Sequence, residues 1–249
     1  MSKIKMGTKP RYHLLDGFRG FLVLGMVFYH LLFILHFVFE VSWSFAVYDT
    51  ISFIQIIGAS LFVALCGVSC TLSKNNFKRG VKIFLAAVAV TLVTALPFLG
   101  VGVVWFGILH LLAFGVLLFA VFEKLLKKVP TFVGILSCTI LFFATLHLQS
   151  GFLGFGATLG IEIFWTPPLP LAVVSGINPI GFFTIDYFPV LPWVFMLLLG
   201  AFLGRWVPLF KDWLEKNPVP FLAFVGRRAL FIYLFHVPVV FGLAWLLSR

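Results

Sequence analysis

The sequence predicts an all-α fold: a polytopic transmembrane helix bundle of about seven crossings, with the N-terminus cytoplasmic and the C-terminus outside. Three observations carry that expectation. Of the 249 residues, 62% are hydrophobic and only 10% charged, and the mean hydropathy of +1.14 lies far outside the range of a soluble domain. The apolar residues come in blocks near the ~20 residues that cross a bilayer as helix, without the alternation of a membrane β-barrel. The bases, finally, fall in alternate loops.

Taken in order, Lys3, Lys5, Lys9 and Arg11 precede a first crossing expected at residues 14–39. A second, at 50–73, is followed by Lys74, Lys78, Arg79 and Lys82, and a third is expected at 81–98. The fourth, 104–122, ends on Lys124, Lys127 and Lys128; a fifth follows at 131–148. Between the sixth, 190–206, and the last, 229–248, lie Arg205, Lys211, Lys216, Arg227 and Arg228. With simple alternation all these basic loops share one side, which the positive-inside rule makes the cytoplasm. The opposite side carries Glu40, Asp49, Glu162 and Asp186, with Arg249 its sole base. The net charge of +10 therefore reads as topology and contact with anionic lipid rather than nucleic-acid binding. Residues 1–249 are expected to form a single integral membrane domain of a multi-pass cell-membrane protein, of the prokaryotic plasma-membrane type.

The first helix has a basic start like a signal peptide, but its apolar run is too long for an h-region and no small-residue cleavage site follows, so it is expected to stay attached. Cys66, Cys70 and Cys138 fall inside expected helices, which argues against a disulfide framework or a metal site. Cys66 and Cys70, at i, i+4, read as small residues at a helix contact. No metal motif, phosphate-binding Gly loop or internal repeat is apparent. Residues 150–189 break the pattern: apolar, but punctuated by Gly and Pro and containing "TPPLP". An eighth crossing here would put the bases from Arg205 to Arg228 outside, so the stretch is expected to be an outer loop, lying at the interface or folded back as a lid.

Polar residues inside the apolar blocks are the candidates for chemistry. In "LLDGFRGFLVLGMVFYH", Arg19 and His30 differ by only about 20° around a helix and Asp16 lies about 40° away on the other side, so the three share one face. Arg19 and His30 are about 16 Å apart along the axis, which puts Asp16 and Arg19 near the cytoplasmic end and His30 beyond the midplane. Asp16 and Arg19 can be an i, i+3 ion pair sealing the helix end or part of a cytoplasmic anion site; His30 can make an interhelical hydrogen bond or carry chemistry. His110 opens the fourth crossing and Asp186 stands before the sixth, both on the outer side. With His30 they form an expected outer constellation in which a carboxylate orients an imidazole for general-base work. His236, two residues before Pro238, marks either a ligand-accepting interruption or a kink. His36 and His147 read as interfacial, and His13 as part of the basic flank.

These residues also carry a resemblance. "RYHLLDGFRGFLVLGMVFYH" resembles the opening signature of the heparan-α-glucosaminide N-acetyltransferase-like catalytic domain family, with an R…D-x-x-R-G…M-V-x-x-H pattern. "FGILHLLAFGVLL", "FFTIDYFPVLPWVFMLLLGAFLG" and "GRRALFIYLFHVPVV" resemble later blocks of that family in the same order. The resemblance implies a membrane enzyme that takes an acyl group, commonly acetyl, from cytoplasmic acyl-CoA and delivers it to a sugar or amine on the far side. On that reading Asp16, Arg19, Arg227, Arg228 and His236 are the residues for the acyl-CoA, and His30, His110 and Asp186 those for catalysis. The acceptor either loses its proton to an imidazole and attacks directly, or attacks a transient acyl-imidazole. The expected partners are membrane lipids, acyl-CoA and a glycan or amine acceptor, with a homo-oligomer left open; no metal and no nucleic acid are expected. The rival reading is a transporter of a small polar or lipid-linked solute along the membrane histidines, although the paired inverted halves of such proteins are not apparent.

Overall fold

The computed structural model describes residues 11–96, 102–155, 159–182, 184 and 186–248; Lys3, Lys5, Lys9, Arg249 and the end of the expected third crossing lie outside them. Ten α-helices are described: α1 (His13–Phe37), α2 (Ser42–Leu72), α3 (Asn76–Thr94), α4 (Ile108–Leu126), α5 (Thr131–Ala144), α6 (Leu169–Ser175), α7 (Val190–Leu203), α8 (Lys211–Leu214), α9 (Pro220–Arg227) and α10 (Ala229–Leu247). Among the described residues, six stretches are long and apolar enough to cross a membrane: α1, α2, α4, Thr131–Ser150, Val190–Leu214 and α10. The protein is thus mostly helical and of multi-pass membrane type. Though 19 residues long, α3 is not among the six: Lys78, Arg79 and Lys82 all fall in its first two turns.

Helix α2 begins at Ser42, eight residues before the expected start at 50. The hydroxyls at this end of α2 are absorbed by the helix itself. Thr50 donates to the Ala46 carbonyl (2.8 Å), Ser52 to that of Asp49 (2.8 Å), and the fully buried Ser44 to that of Val41 (2.6 Å). A hydroxyl bonded back to its own helix removes the penalty of carrying it into an apolar setting.

The chain divides into two compact units, residues 1–59 with 207–249, and residues 60–206. In the first, α1 crosses α9 where Gly20 meets Gly226. A Cβ at Gly20 would overlap the Leu222 carbonyl, and one at Gly226 the Asp16 carbonyl, so the two backbones are in direct contact. Such small-residue seams are how helices associate where no hydrophobic effect drives them together. About four turns further along α1, Ile34 and Leu35 pack on Val240 and Ala244 of α10. Helices α1 and α10 therefore run parallel, both leading away from the Gly20–Gly226 crossing.

In the second unit, α4 and the stretch containing α7 are the most enclosed. Helix α7 meets the second half of α2 through Gly67 and Gly200, whose Cβ positions are occupied by the Leu197 and Ala64 carbonyls. Gly80 of α3 lies on Leu117 of α4, and Gly134 of α5 on the Phe202 ring of α7. Arg205 ties the α4–α5 turn together, donating to the carbonyls of Leu126 and Val129, both at 2.7 Å; a cation there also suits the negative end of the α4 dipole. The stretch expected as an outer loop holds a hairpin, β1 (Phe152–Gly154) antiparallel to β2 (Gly160–Glu162), and helix α6. Its inner edge is pinned by Tyr187, whose hydroxyl donates to the Val173 carbonyl at 2.8 Å. Burial pushes that phenol up to about 12.

Candidate active site

The membrane histidines of the first unit form its most unusual feature. Ring centroids of His30 (α1) and His236 (α10) are 4.8 Å apart, nearly perpendicular at 77°. His30 Nδ1 lies 2.9 Å from the Met26 carbonyl and His236 Nδ1 2.6 Å from that of Tyr233. A carbonyl only accepts, so each bond assigns a proton to Nδ1 and leaves Nε2 as the basic nitrogen of the neutral ring. Two imidazoles in the same tautomer thus meet between two membrane helices. His236 is buried, and its Nε2 has no hydrogen-bond partner among the described residues.

Tyrosines frame the pair. Tyr29 meets the His30 ring edge-on at 5.8 Å and its hydroxyl bonds that of Tyr48 at 2.9 Å. Tyr48 stacks on His36 (4.8 Å, 15°), and Tyr233 lies 5.3 Å from His236.

At the other end of the same two helices stands a cationic cluster. Asp16 accepts from Arg19 Nη1 at 2.8 Å and from Arg11 Nε at 3.0 Å, so the i, i+3 ion pair is present and doubled. Gly226 rests on the Asp16 backbone, which brings the residues that follow it, Arg227 and Arg228, to the same end of α1. Both guanidiniums face the Phe224 ring, at 5.9 and 4.0 Å from its centroid. Among these five side chains four guanidiniums stand against one carboxylate, a local excess of positive charge at this end. From it, His30 lies eleven residues along α1 and His236 eight residues along α10, axial rises of about 16 and 12 Å.

The second unit holds His110 and Asp186. Helix α4 has Gly107 at its N-cap, with no side chain to cap it. Asp186 supplies the cap from a distant loop, its Oδ2 accepting the Ile108 N–H at 3.2 Å. A Cβ at Gly107 would overlap that oxygen, so a larger residue there would displace the Asp186 carboxylate. His110, buried one turn on, has Nε2 3.3 Å from Thr91 Oγ1. Thr91 commits its own proton to the Val104 carbonyl at 2.7 Å, so it accepts from His110 Nε2–H. His110 is therefore in the opposite tautomer to His30 and His236, and it stacks on Phe106.

Of the residues singled out in the sequence, the structure joins Asp16 to Arg19 and His30 to His236, sets His110 in the opening turn of α4, and brings Asp186 from a distant loop to cap that turn. The pairing of His30 with His236, 206 residues apart, and the tyrosines Tyr29, Tyr48 and Tyr233 were not foreseen. The one local hint was Tyr29, next to His30 in the chain.

A helical multi-pass membrane protein with a positive end and an imidazole pair along the same helices is the class that this architecture defines. The chain belongs to the family described as heparan-alpha-glucosaminide N-acetyltransferase, catalytic, whose model matches residues 11–238, a span that includes all eight singled-out residues. Its family places it among acetyltransferase-like membrane proteins. No curated protein and no solved structure was found to match the chain.

Proposed function

We propose that this protein is a transmembrane acyltransferase that moves an acyl group, commonly acetyl, from acyl-CoA to a sugar or amine acceptor. The observation that supports the reading most directly is the His30–His236 pair, with both Nε2 atoms left basic by the backbone bonds at Nδ1. Arg19, held by Asp16, and Arg227 with Arg228 are the groups for the CoA phosphates, at the end taken to be cytoplasmic. The thioester then lies along α1 and α10 at the level of the imidazoles. For an amine acceptor, Nε2 of His30 takes the proton as nitrogen attacks the thioester carbon; the C–S bond breaks and the CoA sulfur leaves with that proton. His236 stands beside His30 as a second base, and its Nε2 can donate to the acyl oxygen only once it has taken up a proton. An acyl-imidazole on the same Nε2 gives the two-step form of the reaction. Asp186 and His110 act in this proposal as positioning residues that fix the start of α4.

The test is CoA thiol release by the purified protein in detergent with acetyl-CoA and a panel of amino sugars and simple amines. Acceptor-dependent release that disappears in His30→Ala supports the reading. Release that persists unchanged in both His30→Ala and His236→Ala overturns the assignment of the site. A folded protein that neither turns over nor binds acetyl-CoA favours the transporter.

A further inference from the structure

Near the end of α2, a cation faces two sulfurs. Arg79, in the first turn of α3, places Nη2 3.1 Å from Cys66 Sγ and 3.5 Å from the Cys66 carbonyl, and Nη1 3.6 Å from Cys70 Sγ. Among the described residues no carboxylate lies within ion-pair distance of this guanidinium; the titratable groups acting on it are Cys66 and Cys70. A neutral sulfur is a weak acceptor, and the one carbonyl contact is long, so a half-buried guanidinium with no carboxylate beside it is poorly compensated. The costs fall if one sulfur carries charge, and the hydrogen bonds say which. Cys70 Sγ donates its proton to the Cys66 carbonyl at 3.4 Å, so it is the thiol of the pair. Cys66 takes the shorter guanidinium contact, as charge-assisted bonds do.

We propose that Cys66 is a covalent modification site, an Arg79-paired thiolate that takes up low-molecular-weight disulfides by exchange. The Cys66 sulfur attacks one sulfur of the disulfide, forming a protein mixed disulfide. The S–S bond breaks and the second sulfur departs as thiolate with the electron pair. No other oxidant is needed, and a thiol reductant reverses the step. Cys66 and Cys70 are both buried, and the half-exposed Arg79 side chain is the cover that must swing aside. Cys138, buried on α5, is the internal control. The site lies in the second unit and is independent of the acyltransferase reading.

The experiment treats the intact protein in detergent with oxidised glutathione, and separately with iodoacetamide between about pH 6 and pH 9, and locates the modified cysteine by peptide mass spectrometry. Cys66 is expected to react first, on the order of tenfold faster than Cys70 and Cys138 near neutral pH. Its rate should persist at the acid end, where Cys138 slows roughly tenfold per pH unit. Arg79→Gln is expected to slow Cys66, and Arg79→Lys to keep part of the rate. Labelling of Cys66 no faster than Cys138, no modification of the folded protein, or an Arg79→Gln variant that reacts as fast or faster would overturn the proposal. The wild-type ranking stands without any variant, so misfolding of an Arg79 substitution leaves the test intact.

Discussion

At the scale of single residues, what distinguishes His30 and His236 from an ordinary buried histidine is where their protons are. Each Nδ1 is committed to a backbone carbonyl of its own helix, so each ring is held in one tautomer beside the other, with Nε2 left unprotonated. His110 shows the contrast, since its Nε2–H is tied to Thr91 and it has a structural partner already. His30→Ala is expected to lower kcat by about 10²–10⁴ with acyl-CoA affinity largely kept, as removal of a general base does; the check is thiol release against calorimetric binding on one preparation. Arg19→Ala is expected to act the other way, weakening acyl-CoA binding by roughly tenfold or more through loss of a charge-assisted contact. Equal loss of binding in both variants would contradict the division of roles.

At the scale of elements, the close helix crossings depend on residues that lack a side chain. Gly20→Leu or Gly226→Val would force α1 and α9 apart, because the space for a Cβ is filled by carbonyls of the partner helix. A cost of about 1–3 kcal/mol or more is expected, read as a lowered thermal midpoint in detergent. Asp186 caps a helix to which it is remote in sequence, and Asp186→Ala is expected to cost about 1 kcal/mol from the same measurement. Tyr187 adds a pH dependence. Its phenol is protonated more firmly when folded, so the stability it contributes is present below about pH 10 and lost as pH rises through about 12. Tyr187→Phe should flatten alkaline unfolding in that window.

At the scale of the molecule, the helical membrane class was readable because it rests on composition and block length, which no tertiary contact alters. The first and last helices were placed nearly to the residue: Arg11 and the Arg227–Arg228 pair bound apolar runs that have room for one helix each. Helix α2 begins eight residues before the expected start at 50, and in that added stretch the Ser44 hydroxyl bonds back to the Val41 carbonyl, a contact that the sequence does not display. The hairpin β1–β2 was hidden in a stretch whose Gly and Pro mark turns without saying how the segments between them pair. The polar sites divide along the same line. Asp16 with Arg19 was visible because both lie within one turn. The pairing of His30 with His236, and of Asp186 with the end of α4, depends on how separate helices and loops pack, and spacing along the chain carries no record of that.

The central claim is that the cationic end and the imidazole pair serve one acyl-CoA, and its most direct test is isothermal titration of acetyl-CoA into the wild-type protein and His30→Ala in detergent, with dephospho-CoA and an unrelated nucleotide as controls. The account predicts saturable binding selective for the CoA thioester, weaker for dephospho-CoA, and nearly unchanged in His30→Ala. Absence of binding by the well-folded wild-type protein, or binding no different from the unrelated nucleotide, would contradict it and reduce Arg19 and Asp16 to a structural ion pair.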